Sequence, residues 1–127
     1  DIYKIKNGGI NMKRIVLIGM MILGMVVMAE KLNTDGKDHL KELLGKWGEP
    51  QPVYLIAKNS KLYYIDEEEV ENPVTKLNTY TYVINRVESG NKSCFAYDIK
   101  HKKFAFLKCG TNEVEQYMPK KYNTFGG

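Results

Sequence analysis

The chain lacks most of the features by which enzymes and anchored proteins are recognised from sequence. It has only two cysteines and two histidines in 127 residues. It contains no Gly-x-Ser-x-Gly, His-Glu-x-x-His or glycine-rich phosphate-binding motif, which removes the common signatures of serine hydrolases, zinc proteases and nucleotide-binding folds. No apolar run reaches the ~20 residues that a membrane-spanning helix needs. We therefore expect a non-enzymatic protein without metal or cofactor. The alternative is a small secreted hydrolase or redox protein, which a polar cleft containing His39 or His101 would favour.

The N-terminal part of the chain has the layout of a secretory signal peptide. Residues 12–14 are Met-Lys-Arg, and residues 15–28 contain no charged side chain. Small or medium side chains at positions 27 and 29 then permit cleavage between Ala29 and Glu30. The pattern predicts a signal peptide over residues 12–29 and a periplasmic or secreted protein. Because no cysteine stands at the cleavage site, lipid attachment there is excluded and we expect no stable membrane anchor after cleavage.

Residues 1–11 precede this signal peptide. Gly8 and Gly9 can be encoded by a GGAGG string just ahead of the Met12 codon, where a bacterial ribosome-binding site lies. We expect this segment to be either an untranslated leader or an extended basic n-region.

The positive charge of the chain belongs mainly to this leader. Of nineteen basic and fifteen acidic residues, residues 1–29 hold four and one, which leaves fifteen and fourteen in the mature part. A nearly neutral surface lacks the basic excess of nucleic-acid-binding proteins and the polybasic cluster of membrane-surface binders. We expect another envelope or secreted protein as the partner, and no nucleic acid.

Hydrophobic spacing predicts a single α+β domain over residues 30–119, followed by a loose tail over residues 120–127. Leu40, Leu43, Leu44 and Trp47 recur at helical spacing, which predicts an N-terminal helix over residues 36–46 that packs against the sheet. An antiparallel sheet of about five strands then follows, over residues 53–57, 61–65, 79–87, 92–100 and 103–109. We expect a tight turn at residues 58–60 and at least one helical turn within residues 111–118.

The two cysteines are expected to form a structural disulfide. A hairpin that turns on His101 and Lys102 aligns residues whose numbers sum to 203, which places Cys94 opposite Cys109 at a separation that a disulfide permits. The same register puts five apolar side chains on one face: Phe95, Tyr97, Ile99, Phe104 and Phe106. The spacing lacks the Cys-x-x-Cys pattern of redox-active pairs.

The tyrosines have two interpretations. Alternation predicts that Tyr80 and Tyr82 share a face, whereas Tyr63 and Tyr64 point to opposite faces. Aromatic residues favour strands in general, so the pattern needs no function. The functional interpretation is an exposed face, including Tyr63, Tyr80 and Tyr82, that binds a protein partner.

The acidic run at residues 66–71 also has two interpretations. Its five carboxylates could gather a hard cation such as Ca²⁺, but the run lacks the alternating acidic frame of calcium loops. We expect a solvated loop that discourages pairing of strand edges.

Residues 43–50, Leu-Leu-Gly-Lys-Trp-Gly-Glu-Pro, and the hairpin between Tyr54 and Tyr64 carry a resemblance to a known family. The chain resembles small bacterial envelope domains of the SmpA/OmlA outer-membrane assembly lipoprotein type and their relatives that resemble β-lactamase-inhibitor proteins. The resemblance covers about residues 35–64, and residues 92–110 more loosely. It implies a helix that ends at the Leu-Leu-Gly turn and runs into an antiparallel sheet, and a role in envelope maintenance.

Overall fold

The structure, a computed structural model, describes residues 29–119 together with residues 121 and 122. In this part of the chain ten antiparallel strands form one sheet in the order β10-β2-β3-β4-β5-β6-β7-β8-β9-β1. The strands are β1 (Glu30–Lys31), β2 (Gly45–Trp47), β3 (Val53–Lys58), β4 (Lys61–Ile65), β5 (Glu71–Lys76), β6 (Thr81–Asn85), β7 (Lys92–Asp98), β8 (Lys103–Leu107), β9 (Glu113–Tyr117) and β10 (Lys121–Tyr122).

The expected α+β fold, with an N-terminal helix on about five strands, is wrong. The helix α1 is a single turn, Leu40–Leu43, because Leu44 is already extended and Gly45 adopts a φ of 134° that residues with a Cβ rarely reach. The chain then pairs with β3 as strand β2. The apolar residues of the expected helix still bury: Leu43 and Trp47 lie in the core, and Leu40 and Leu44 pack against it.

Two further strands occupy segments expected to be loop or helix. Strand β5 contains Pro73, which pairs with Tyr63 of β4 but lies beyond the stretch of β5 that pairs with β6. The missing N–H of Pro73 is therefore tolerated on the side of β5 that faces β6. Strand β9 carries a bulge between Val114 and Gln116, which breaks the alternation by which a strand is recognised.

The β3–β4 hairpin is present where the sequence predicts it. Asn59 and Ser60 form its two-residue turn, both with positive φ (53° and 64°). Positive φ at both central residues matches the twist of the flanking strands.

The sheet curls until its two ends approach each other. Strands β9 and β10 lie at opposite ends of the strand order, yet only residues 118–120 connect them. Four Cα steps span at most about 14 Å, so the ends are close in space. A contact across the gap agrees: the rings of Trp47 (β2) and Phe104 (β8) lie 5.7 Å apart.

Curling gives the sheet an inner and an outer face. The inner face holds the main core, formed by Leu43, Trp47, Val53, Leu55, Tyr64, Val74, Tyr82, Ile84, Phe95, Phe104 and Met118. On the outer face of β6–β9 lies a second cluster, which we call the outer cluster, formed by Leu32, Val83, Cys94, Ala96, Ala105 and Leu107. Leu32 comes from the segment after β1, so the N-terminal residues cover this half of the outer face.

The disulfide is confirmed, but the register used to predict it is wrong. Cys94 and Cys109 are bonded with their Cα atoms 5.2 Å apart. Cys94 pairs with Leu107 rather than with Cys109, because the turn consists of residues 99–102 and is centred one residue earlier than expected. A shift by two residues leaves every side chain on its expected face. Accordingly Phe95 and Phe104 lie in the inner core, with Tyr97 and Phe106 packed against it, while Ile99 lies in the turn.

Candidate functional site

The structure separates the three tyrosines that were expected to form one aromatic face. Tyr82 is 2% exposed and lies in the inner core, stacked on Phe95. Tyr80 instead packs against the outer cluster, and its hydroxyl donates to Asn112 Oδ1 at 2.9 Å. The prediction that Tyr80 and Tyr82 share a face is wrong, because Tyr80 lies in the turn before β6, where strand alternation does not apply. Of the three, Tyr63 alone faces outward from the middle of a strand.

Tyr63 belongs to a group of four half-buried apolar side chains on the outer face of the sheet. Tyr54 of β3 pairs with Ile65 of β4, and Ile56 pairs with Tyr63. Directly opposed side chains of this kind lie ~4.5–5.5 Å apart and touch. Among the described residues, neither core cluster includes any of the four. We call Tyr54, Ile56, Tyr63 and Ile65 the outer patch.

Charged side chains border the outer patch. Lys58 Nζ lies 5.2 Å from the centre of the Tyr63 ring and 3.0 Å from Glu71 Oε1. Glu71 is the register partner of Ile65, and Lys46 is the register partner of Tyr54. An apolar centre with tyrosine and a charged rim is the usual composition of a protein interface.

Three of these four residues, Tyr54, Ile56 and Ile65, are not among the expected site residues, although the sequence contains a signal for them. Along their strands the patch residues alternate with the buried Leu55 and Tyr64, so that positions 54, 56, 63 and 65 point to the opposite face. Tyr64 lies in the inner core and Tyr63 does not, which confirms that the two point to opposite faces.

A cleft of about 750 Å³, which we call the Lys76 cleft, opens beside α1 at the end of the β3–β4 hairpin. Its lining includes Leu40, Leu62, Val74, Tyr82 and Lys76. Its volume is within the ~300–1,000 Å³ range of small-molecule sites.

Asp38 stands at the rim of the Lys76 cleft. Its carboxylate accepts hydrogen bonds from the Tyr82 hydroxyl (2.7 Å), Lys76 Nζ (2.9 Å) and the N–H of Leu40 (2.8 Å). Burial alone would raise the pKa of Asp38, but these hydrogen bonds outweigh it and hold the pKa below its ordinary value. Burial, followed by the hydrogen bond to Asp38, raises the pKa of Tyr82. At neutral pH the Asp38 side chain is therefore a carboxylate and the Tyr82 side chain a neutral phenol.

A second cavity, of about 620 Å³, lies beside the disulfide. Its lining includes Arg86, Tyr64, Phe106 and Glu115. The Arg86 guanidinium lies 5.3 Å from the centre of the Tyr64 ring, and its Nε donates to Ser93 Oγ. Burial raises the pKa of Tyr64 to about 12, although the positive charge of Arg86 opposes this shift. Tyr64 is therefore a neutral wall of the cavity at physiological pH.

The two histidines lie outside the linings of both cavities. His39 Nε2 lies 2.8 Å from Asp35 Oδ1, and this hydrogen bond raises the pKa of His39. His101 Nδ1 lies 3.0 Å from a carboxylate oxygen of Asp98.

The acidic run is divided between a turn and a strand. Asp66 Oδ1 accepts hydrogen bonds from the N–H groups of Glu68 and Val70, and Glu71 pairs with Lys58. Within the described residues no group of three or more His, Cys, Asp or Glu side chains is arranged to hold a metal ion.

The predicted leader and signal peptide occupy residues 1–29, of which residues 1–28 lie outside the described residues. Of the predicted cleavage site, Ala29 and Glu30 are both exposed, and Glu30 begins β1 opposite Val114. The described residues include no helix that is long and apolar enough to cross a membrane. In the tail expected to be loose, Lys121 and Tyr122 pair with Trp47 and Lys46, and the remaining residues lie outside the described part.

Comparison of the chain with protein-family models, with curated proteins and with solved structures finds no match.

Proposed function

We propose that this chain is an exported, non-enzymatic binding protein that contacts a protein partner through the outer patch. The observation that carries the proposal is the group of four apolar side chains, Tyr54, Ile56, Tyr63 and Ile65, on a part of the sheet that no described residue of either core cluster covers.

The other half of the same face supports this assignment by contrast. There, Leu32 from the N-terminal segment packs with Val83, Ala96 and Leu107 in the outer cluster. Strands whose outward side chains are apolar are usually covered, since leaving such groups in water forgoes ~25 cal/mol per Å². The four side chains of the outer patch belong to neither cluster and stay partly exposed.

The chemistry of the patch favours a protein as the partner. Two tyrosines supply large rings with a polar end, which is typical of residues that dominate binding energies at interfaces. Completing the burial of four half-buried apolar side chains contributes a few kcal/mol, at about 1.5–3 kcal/mol for each fully buried side chain. The Lys58–Glu71 pair at the rim offers both charge signs for orientation of the partner.

Export is supported by two observations of different kinds. The signal-peptide pattern of residues 12–29 predicts secretion, and the Cys94–Cys109 disulfide is typical of proteins in oxidising compartments. The resemblance to envelope lipoproteins stays a prediction, and it extends the proposal to a partner in the bacterial envelope.

The test is a quantitative pull-down with the tagged mature chain from extracts of the producing organism. The patch variant carries Ile56→Ser and Tyr63→Ser. The matched control carries Leu77→Ser and Val87→Ser, which remove two apolar side chains that are 48% and 56% exposed and lie outside the patch. Thermal melts of all three proteins establish that each is folded.

We expect a partner protein whose recovery falls about tenfold or more with the patch variant, equivalent to ~1.4 kcal/mol, and is unchanged with the control. Equal recovery with the wild type and the folded patch variant would contradict the proposal. Loss with both variants would also contradict it, because binding would then follow general surface hydrophobicity.

A further inference from the structure

We propose that the Lys76 cleft binds a small amphipathic carboxylate, with its apolar body inside the cleft and its carboxylate at the lysines of the rim. This site lies apart from the outer patch and does not depend on the function proposed for it.

The walls of the cleft determine the body of the ligand. Leu40, Leu62 and Val74 present aliphatic surface, and Tyr82 adds its ring. Leu40 and Leu62 are only half-buried, so the protein leaves apolar surface open inside a concave site. Apolar walls with a few convergent polar groups are typical of small-molecule sites.

The rim determines the charge of the ligand. Two lysines, Lys61 and Lys76, and one acid, Asp38, line the cleft, so that positive charge is in excess. Asp38 already accepts three hydrogen bonds, from Tyr82, Lys76 and the N–H of Leu40. A cationic ligand would have to compete with these bonds.

By contrast, the side chains of the two lysines have N–H donors that make no hydrogen bond to the described residues. An ammonium has three N–H donors, and Lys76 directs one hydrogen bond to Asp38. The position of Lys76 is fixed by that bond and by the Tyr82 ring, whose centre lies 5.6 Å from Nζ. The side chain of Lys61 makes no hydrogen bond or ion pair with any described residue. An anionic group at the rim would therefore find several unused donors around a pre-positioned cation.

The experiment measures the affinity of the folded mature chain for three ligands with the same alkyl chain: decanoate, 1-decanol and decyltrimethylammonium, each at monomeric concentrations. Titration calorimetry gives the affinities. Chemical-shift changes of the Leu62 and Val74 methyl groups in NMR spectra locate the site.

Lys76→Gln and Lys61→Gln are the test variants, and Lys58→Gln is the matched control. Lys58 and Lys76 have the same side-chain exposure, 46%, each pairs with a carboxylate, and each lies over a tyrosine ring. Lys58 does not line the cleft. A further variant, Ala57→Trp, fills the cleft from an exposed position in its lining.

We expect decanoate to bind about tenfold or more tightly than decanol and decyltrimethylammonium, since hydrogen bonds to charged groups are the stronger class. Lys76→Gln should reduce decanoate affinity about tenfold, and Lys61→Gln should also reduce it, both without changing decanol affinity. Lys58→Gln should change neither affinity, and Ala57→Trp should abolish both. Equal affinity for the three ligands, equal effects of Lys58→Gln and Lys76→Gln, shifts confined to other methyl groups, or no binding of decanoate would each overturn the proposal.

Discussion

Asp98 is the residue at which we expect a small change of side chain to reduce the free energy of unfolding most. Its side chain is fully buried at the end of β7. Oδ1 accepts hydrogen bonds from the N–H groups of Lys100 and His101 and from His101 Nδ1. Oδ2 accepts from the N–H and Nδ2 of Asn33 and from the Tyr117 hydroxyl. One carboxylate thus joins the β7–β8 turn, the N-terminal segment and β9.

Replacing Asp98 with Asn keeps the shape and removes the charge and one acceptor atom. Whichever position the amide NH₂ takes, it meets donors from His101 or from Asn33, and these lose their buried acceptor. Breaking a buried charged network by removing one partner costs about 3–5 kcal/mol. Since small domains are stable by only ~5–15 kcal/mol, Asp98→Asn should remove about a fifth or more of the free energy of unfolding, measured by urea denaturation at pH 7.

The network also predicts a pH dependence. Burial alone would raise the pKa of Asp98, but the hydrogen bonds from His101 and Asn33 outweigh it and hold the pKa well below its ordinary value. A depressed pKa stabilises the folded state fully above the unfolded-state value of ~3.9, and this stabilisation is lost as the pH falls toward the folded-state pKa. The free energy of unfolding should therefore fall below about pH 4 in the wild type, and less steeply in Asp98→Asn.

Asp35→Asn is the control for this experiment. Asp35 also accepts hydrogen bonds from a histidine and from a backbone N–H, but it is exposed. Its replacement should leave the unfolding midpoint at pH 7 unchanged. Two results would show that Asp98 does not hold these three segments together. One is a free energy of unfolding of Asp98→Asn within about 1 kcal/mol of the wild-type value. The other is a free energy of unfolding that falls with decreasing pH as steeply in Asp98→Asn as in the wild type.

Three further predictions concern the core and its supports. Reducing the Cys94–Cys109 bond, which closes a separation of 15 residues, should lower the free energy of unfolding by ~3 kcal/mol and the melting temperature by more than ~10 °C. The variant Cys94→Ala should melt like the reduced protein. A further effect of reductant on that variant would refute this prediction. Trp47→Ala should cost ~3–5 kcal/mol in urea denaturation, because the side chain is buried and packed on Phe104, whereas a cost below about 1 kcal/mol would mean that the site collapses without loss. Asn72→Ala should cost ~2–3 kcal/mol, since its buried amide donates to the carbonyl of Tyr64 and accepts from the N–H of Val87; hydrogen exchange at Val87 that stays as slow as in the wild type would contradict this.

The residues that bury could largely be predicted from the sequence. Leu43 and Trp47 are in the core and Leu40 and Leu44 pack on it, as their spacing predicts, although only Leu40 and Leu43 lie on a helix. A helical stripe and a single turn followed by a strand place the same four side chains on one side of the chain. The sequence alone could not separate the two arrangements, because hydrophobicity records which residues avoid water and not which backbone conformation brings them together.

The cysteine pair shows the same division. The parity of Cys94 and Cys109, and the shared face of Phe95 and Phe104, follow from alternation alone and are confirmed. The register does not follow, because a shift of two residues preserves every face. The four-residue turn that sets it is held by Asp98, whose carboxylate caps the N–H groups of Lys100 and His101. An aspartate at a strand end indicates such a turn, but Asn33 and Tyr117 join it only through the tertiary structure.

The sequence by itself therefore determined the disulfide, the β3–β4 turn and most of the buried residues, since each depends on composition or on spacing within a few positions. The signal peptide over residues 12–29 stays a prediction. The tertiary structure decided where the helix ends, that β5 and β9 are strands, and that the sheet curls until β9 and β10 lie near each other. It also decided that Tyr82 is buried while Tyr54, Ile56, Tyr63 and Ile65 form an outward-facing patch. Those outcomes depend on which strand lies beside which, and pairing between distant segments is a property of the whole chain that local periodicity does not encode.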